Sequence, residues 1–338
     1  LALSGAAGDG SVVSHGIELR TIIPAEREAV LDLLHDWLGD RDLFARYFRY
    51  DPSFRDDLCF VAVDAGRIVS TLQVFRRRVR LNGAVAEVAA VGNVFTAATH
   101  RERGISSALL QAAIAAMEPH GFDLSLLFAV RLAFYGRAGW QSHVRHLVFL
   151  EPAPLRAGGR TQIEPFERTD LETVMRIYDA YNGALSGSTV RDRAYWLGQV
   201  QYAGNPREDF LVARRGGEIV AYARGTPLYD FYVVMEHGCV PGAEEALADL
   251  ICRLHAREAA PYPGTITQLA IAPDVQEVLR SRGLAPRTVE DVFWMWRIVS
   301  CERLAAKIGV PVGDLERDDV FFTLFPPHAS VFWISDRF

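Results

Sequence analysis

THRERGISSALL occupies residues 99–110. It lies between an apolar run that reads as a strand, AVAEVAAVGNVFT (84–96), and one that reads as a helix, SSALLQAAIAAM (106–117). At a helix N-terminus the first N–H groups lack partners and the macrodipole supplies about half a positive charge. An anion seated there accepts several N–H bonds at once. Gly104 lets the backbone approach a ligand closely; Arg101 and Arg103 add charge, and Ser106 and Ser107 offer hydroxyls. Ile105, Leu109, Ala113 and Met117 recur at helical spacing and tie the turn to a core-facing helix. Taken alone, the stretch reads equally well as a basic helix start with solvated arginines. It matches neither GxxxxGK[ST] nor GxGxxG.

Outward from this turn the chain shows one plan used twice. IELRTII is a strand and PAEREAVLDLLHDWL a helix with Pro near its first turn. LCFVAV and RIVSTLQVFRRRVRL are strands joined by DAG, and Asn82–Gly83 marks a hairpin. GFDLSLLFAV, the short helix RLAFYGRAG and a last strand WQSHVRHLVFLE close the first half. After the Pro- and Gly-rich linker 152–160 the order repeats, and FVAVDAGRIVS (60–70) superposes on LVARRGGEIVA (211–221). RAGW likewise matches SRGL. These patterns predict an α/β (α+β mixed-sheet) fold with a leader at 1–16, a domain at 17–151, a second at 161–298 and an extension at 299–338. The extension holds the helix CERLAAKIG and an aromatic tail whose five Phe and one Trp must be covered by the two-domain body or a neighbouring copy.

The duplicate sharpens the reading of the turn. Its equivalent helix opens VPGAEEALADL (240–250), so Gly242 takes the place of Gly104, while Glu244 and Glu245 replace Ser106 and Ser107. No arginine precedes it. Each carboxylate close to a phosphate charge would cost roughly 4 kcal/mol at a surface-like dielectric. The second copy therefore keeps the scaffold and has lost the anion site.

Bulk composition limits the alternatives. The 338 residues, half of them hydrophobic, suffice for two domains. No apolar run nears the ~18 residues of a membrane span, and the small, polar start reads as a flexible leader rather than a signal peptide. Cys59, Cys239, Cys252 and Cys301 lie far apart without CxxC spacing, which suits a reduced, cytoplasmic protein with buried thiols. The net charge of −6 argues against nonspecific nucleic-acid binding and suits a cationic small-molecule substrate.

VGNVFTAATHRERGISSALL (91–110), FDLSLLFAV (122–130) and FYGRAGW (134–140) together resemble the GCN5-related N-acetyltransferase (GNAT) superfamily. RERGIS is similar to its Q/R-x-x-G-x-G/A acyl-CoA pyrophosphate loop, with Ser106 where Gly or Ala is usual. The tandem arrangement looks most like the enhanced-intracellular-survival group, whose members carry an active first domain, a degenerate second one and a sterol-carrier-like third. Here only some forty residues stand where the third would be. The resemblance implies acetyl-CoA as co-substrate and no metal. It implies that the backbone of Val94, Phe95 and Thr96 aligns the pantetheine and polarises the thioester. Arg101, Arg103, Gly104, Ile105, Ser106 and Ser107 would hold the pyrophosphate. Tyr135 matches the tyrosine placed as general acid beside the CoA sulfur; a structurally satisfied core tyrosine is the other reading. Leu279 stands at its duplicate position. Phe338, preceded by Asp336, corresponds to a terminal Phe whose carboxylate serves as base; a packed aromatic terminus is the alternative.

Other residues point less sharply. His143 and His146 have HxxH spacing but fall in a strand, where i and i+3 face opposite sides. His100 abuts the turn and reads as a solvated loop histidine, with contact to the cofactor as the other reading. Trp37, Phe44, Tyr47 and Phe48 wall the acceptor site or pack the core, and Glu87 orients an amine or points to water. There is no GxSxG elbow and no metal-ligand cluster. The expected activity is transfer of an acetyl group from acetyl-CoA to a primary amine of a small molecule, without a covalent enzyme intermediate, membrane or nucleic acid. Self-assembly is left open. The rival readings are a noncatalytic acyl-CoA sensor, and an acyltransferase using a longer chain or a protein amine.

Overall fold

The computed structural model describes residues 12–14, 16–156, 161–202, 207–228, 230–258 and 262–338. The first half begins with β1 (Val12–Ser14), β2 (Ile17–Thr21), α1 (Arg27–Leu38), α2 (Arg41–Tyr50), β3 (Cys59–Asp64) and β4 (Arg67–Leu81). It continues through β5 (Ala84–Thr96), α3 (Ile105–Met117), β6 (Leu124–Phe128), α4 (Leu132–Gly136), β7 (Gln141–Ser142) and β8 (Arg145–Leu150). The second half has β9 (Gln162–Pro165), α5 (Leu171–Asn182), α6 (Arg193–Tyr202), β10 (Asp209–Arg215), β11 (Glu218–Leu228) and β12 (Phe231–Cys239). Then follow α7 (Glu244–Glu258), β13 (Thr265–Thr267), α8 (Pro273–Ser281), β14 (Arg287–Asp291) and β15 (Trp294–Ile298). The extension adds α9 (Cys301–Ile308) and α10 (Val320–Leu324).

The duplication is visible in backbone detail. The β3–β4 hairpin turns at Ala65–Gly66 and the β10–β11 hairpin at Gly216–Gly217, each with both φ angles positive. Such turns match the right-handed twist of the strands they join. Both hairpins carry a bulge at the same aligned place, Ala62/Val63 in one and Ala213/Arg214 in the other. Asn82 and Gly83, at +48° and +77°, make a third turn of this kind, as the sequence predicts.

Two sheets result, ordered β1-β2-β3-β4-β5-β6-β15-β7 and β14-β8-β13-β12-β11-β10-β9. The halves exchange strands. WQSHVRHLVFLE, expected to be one strand of the first half, breaks at His143–Val144. Gln141–Ser142 pairs with β15 in the first sheet, and Arg145–Leu150 then crosses to lie between β13 and β14 in the second. β14 and β15 make the reciprocal crossing. Each half thereby covers an edge strand of the other, β6 by β15 and β13 by β8, where open edges would invite aggregation. The linker at 152–160 thus joins two strands of one sheet; residues 157–160 lie outside the described residues. Of the leader, Val12–Ser14 is not loose chain but an edge strand paired with Ile17–Leu19, because its main chain completes the β2 edge. Residues 1–11 and 15 lie outside the described residues.

The body covers the tail aromatics. Phe321, Phe325, Phe332 and Trp333 are buried, Phe338 is half-buried, and Phe322 is exposed. Trp296 stacks on Phe325 at 4.2 Å, and Trp294 meets Phe332 edge-on at 5.0 Å. All four cysteines are free thiols, Cys59 and Cys239 buried and the other two half-buried. Among the described residues no helix is long and apolar enough to cross a membrane.

Candidate active site

Parallel pairing of β5 with β6 ends at Val91–Leu127, after which the strands part. β6 turns toward β15, where the Ala129 N–H donates to Phe293 O. On β5 the register to β4 slips at the same point: Thr71 faces Phe95 and Gln73 faces Gly92, so Asn93 and Val94 lie opposite Leu72 alone. Asn93 takes the left-handed conformation (φ +50°), and its amide donates to Gln73 Oε1 at 2.6 Å. This extra residue swaps the faces beyond it. Val94 packs on the core under α3, whereas Phe95 packs on the core under α1. The result is a wedge whose β5 lip, Gly92–Thr96, makes no ladder with β6. A glycine–asparagine pair inside an apolar strand is the sequence signal for such a bulge, and sequence reasoning passed over it.

The turn at 99–110 closes one end of this wedge. Glu102 and Gly104 have φ of +62° and +77°. Gly104 is needed for that angle, since a Cβ there would meet nothing within 4 Å. Among the described residues, no acceptor takes the main-chain N–H of Gly104, Ile105, Ser106 or Ser107. These are the free donors of a first helical turn, held in place by Ile105, Leu109, Ala113 and Met117, all buried. Burying each large apolar side chain contributes roughly 1.5–3 kcal/mol, so the turn is a rigid platform. Below it a chain of hydroxyls, Ser70–Thr96–Ser106, links three elements at 2.7 Å per step. Arg101 and Arg103 are exposed; Arg101 Nε donates to Thr96 O at 3.1 Å, and its guanidinium stands 5.5 Å from the Phe95 ring centre. His100 is not simply solvated: it sits between the Thr99 hydroxyl (2.8 Å) and the Asp64 carboxylate (3.0 Å), which fixes the start of the turn.

In the second half Gly242 repeats the left-handed geometry at +79°. There the Gly242 N–H donates to Glu244 Oε1 at 3.1 Å. The chain's own carboxylate occupies the position where an external anion would accept.

Tyr135 lies on α4 and packs against the same core as Val94 and Ile105. Burial pushes its phenol up to about 12, with Arg131 opposing weakly. Leu279, its counterpart, is fully buried in the second core. On the opposite face of the sheet Trp37, nearly half exposed, stacks at 6.0 Å on both Phe44 and Phe95. Tyr47 packs on Phe75 and Tyr202, and Phe48 on Phe54, so these two are interior contacts.

Phe338 reaches the wedge from that same face. A Cβ built on Gly92 would lie 2.9 Å from its ring, 3.0 Å from its main-chain oxygen and 3.2 Å from its carbonyl carbon. Its ring contacts Phe75 (6.0 Å) and Phe128 (5.6 Å). Only glycine at 92 admits the tail this closely, because real Cβ contacts are longer.

Three sequence candidates lie elsewhere. Glu87 is paired with Arg76 at 2.7 Å. His143 and His146 do come to one place, bordering a small cleft with Arg145 and Gln268, because the chain bends between sheets at this point instead of running as one strand. Among the described residues no three His, Cys, Asp or Glu side chains gather as a metal site.

Comparison with known proteins places the chain beside N-acetyltransferases. The acetyltransferase (GNAT) domain family matches residues 18–142. An uncharacterized N-acetyltransferase of Streptomyces griseus is 25% identical over 315 residues, covering 83% of this chain and 73% of that protein. Among solved structures, a GCN5-related N-acetyltransferase from Kribbella flavida superposes with a TM-score of 0.65 at 16% identity, over 86% of this chain and 73% of the other. Eis1 from Mycobacterium abscessus gives 0.59 at 17% identity, over 86% and 75%. These likenesses extend the shared fold across both halves. Residues 18–142 carry the match to the acetyltransferase (GNAT) domain, and the chain is similar across both halves to N-acetyltransferases of this kind, which supports an acyltransferase.

Proposed function

We propose that this enzyme transfers the acetyl group of acetyl-CoA to a primary amine of a small molecule by direct attack. The observation that carries the reading is the contrast between the two glycine turns: free N–H donors flanked by arginines at Gly104, and an internal carboxylate at Gly242. The N–H groups of residues 104–107, with Arg101 and Arg103, fit a diphosphate. The unpaired lip Val94–Thr96 fits the pantetheine, and an N–H there aimed at the thioester oxygen is worth ~3 kcal/mol in the transition state.

The amine nitrogen attacks the carbonyl carbon, the C–N bond forms and the C–S bond breaks. The leaving thiolate takes the proton of Tyr135, which is protonated throughout the neutral range, and the proton shed by the new amide nitrogen returns to the Tyr135 oxygen. By the family resemblance, Phe338 beside Gly92 would serve as the base that accepts the ammonium proton. Burial also pushes the Cys59 and Cys239 thiols up to about 12, which leaves them poor nucleophiles and favours the direct route. The net charge of −6 suits a cationic acceptor. Thiol release from acetyl-CoA, measured against aminoglycosides, polyamines, amino acids and peptides, tests the reading. Saturable release with at least one small amine is expected. Tight acetyl-CoA binding with no release across the panel would identify a sensor instead, and release with peptides alone would identify a protein-modifying enzyme.

A further inference from the structure

The second sheet has its own wedge, and the tail fills it. β12 pairs with β13 only from Tyr232–Thr265 to Val234–Thr267, and its register to β11 slips at Arg224/Gly225, leaving Met235 as the extra residue. In the first sheet the corresponding wedge is met by Phe338 at Gly92. Here Ile334 packs on Val233 and Met235, and the Trp333 ring lies 4.8 Å from that of His237. Trp333 Nε1 donates to Asn182 at 2.8 Å, and Gln199 Nε2 to Ser335 O at 3.1 Å. The Ser335 hydroxyl bonds to Glu236.

Asp336 then enters a closed charge network. Arg191 donates to both its carboxylate oxygens, at 3.0 and 2.8 Å, and also to Glu236 at 2.6 Å. The Tyr195 hydroxyl donates to Asp336 at 3.0 Å. From the first sheet, Arg77 Nε contacts Asp336 O at 3.4 Å while its guanidinium is paired with Asp51 at 2.7 Å. Arg77, Arg191, Glu236 and Asp336 are all buried. Two residues beyond this clamp, Phe338 meets Gly92. Buried ion pairs seldom add net stability over apolar packing, so what this one provides is a fixed position.

We propose that the wedge of the second domain is a socket for the chain's own tail, and that the Asp336–Arg191 pair inside it is a positioning device that sets Phe338 against Gly92. Asp336 is a positioning residue; its influence on turnover rests on the reading that Phe338 serves the reaction, whereas the socket itself does not.

Asp336→Asn keeps the shape and removes the charge; Tyr195→Phe removes one hydrogen bond to Asp336 and leaves every buried charge paired, so it folds even where the first variant does not. Each is compared with wild type, with a chain lacking Phe338, and with Asp123→Asn. Asp123 is an equally buried carboxylate, paired with the partly exposed Arg303 and Lys307 at the far end of β6. Hydrogen exchange of the 331–338 amides should quicken about tenfold or more in the Asp336 and Tyr195 variants and not in Asp123→Asn. Their kcat should fall about 10- to 100-fold, as displacements near 1 Å do, with acetyl-CoA affinity within about twofold of wild type. Unchanged tail exchange in both variants overturns the socket. Faster exchange with normal kcat, when loss of Phe338 does slow turnover, overturns the positioning role. Normal turnover without Phe338 instead overturns the base assignment, and the exchange data then decide the socket alone.

Discussion

Ser107→Glu places in the first turn the residue that its counterpart carries at position 245. Ser107 is exposed, and its hydroxyl has no hydrogen bond among the described residues, so little is lost from the fold. A carboxylate in the first turn of α3 faces the positive end of the helix and should stabilise the free protein by about 0.3–1 kcal/mol. Its effect on a bound diphosphate has the opposite sign. Two like charges 4 Å apart repel by about 1 kcal/mol in bulk water and about 4 kcal/mol at an effective dielectric of 20. The site is open to solvent, so the penalty falls between these limits, a loss in acetyl-CoA affinity of about 5- to 1000-fold. It should shrink in 1 M salt, where the screening length drops to about 3 Å. Calorimetric titration at low and high salt, beside thermal melts without ligand, separates the two effects. Equal affinity in variant and wild type would refute the placing of the diphosphate; a variant that loses both stability and affinity would show that the turn had merely been damaged.

Gly92→Ala forces a methyl to within 2.9–3.2 Å of Phe338 and should lower kcat about 10- to 100-fold; unaltered turnover would show that the tail's approach does not matter. Tyr135→Phe should reduce turnover by about 10²-fold or more while leaving acetyl-CoA affinity nearly intact; a wild-type rate removes Tyr135 from proton transfer. Burial holds His143 and His237 down to about 4. Between the unfolded value near 6.5 and about 4 the unfolded chain therefore binds more protons. Stability should be full above pH ~6.5 and fall by on the order of 1 kcal/mol per pH unit for each ring as pH drops toward 4. Urea midpoints at pH 7 and pH 5 check this, and coincident curves would contradict it.

What the sequence revealed was local. The Asn82–Gly83 and Ala65–Gly66 turns require φ angles that few residues adopt, and the apolar repeat of α3 is unbroken from Ile105 to Met117. Strand β5 begins and ends where its residues suggest, at Ala84 and Thr96. The strand exchange was hidden because pairing partners such as Arg145 and Asp291 are far apart in the chain and nothing in WQSHVRHLVFLE marks the crossing. Helix α6, RAYWLGQVQY, escaped notice because its aromatic side chains bury against several elements and give little one-sided periodicity. At the candidate site the glycine turn before α3 was legible as a turn, since Gly104 sits where the chain needs a positive φ. The bulge at Asn93 left a signal that was passed over. The path of the tail through one wedge to the next depends on Asp336 meeting Arg191, a contact across 145 residues that no local pattern announces.

Crystals of the full chain grown with coenzyme A, with the stoichiometry counted by calorimetry, address the asymmetry of the halves most directly. One molecule per chain is expected, its diphosphate on the N–H groups of residues 104–107 and its pantetheine along Val94–Thr96. Diphosphate density at Gly242, two molecules per chain, or a vacant first turn would contradict the account.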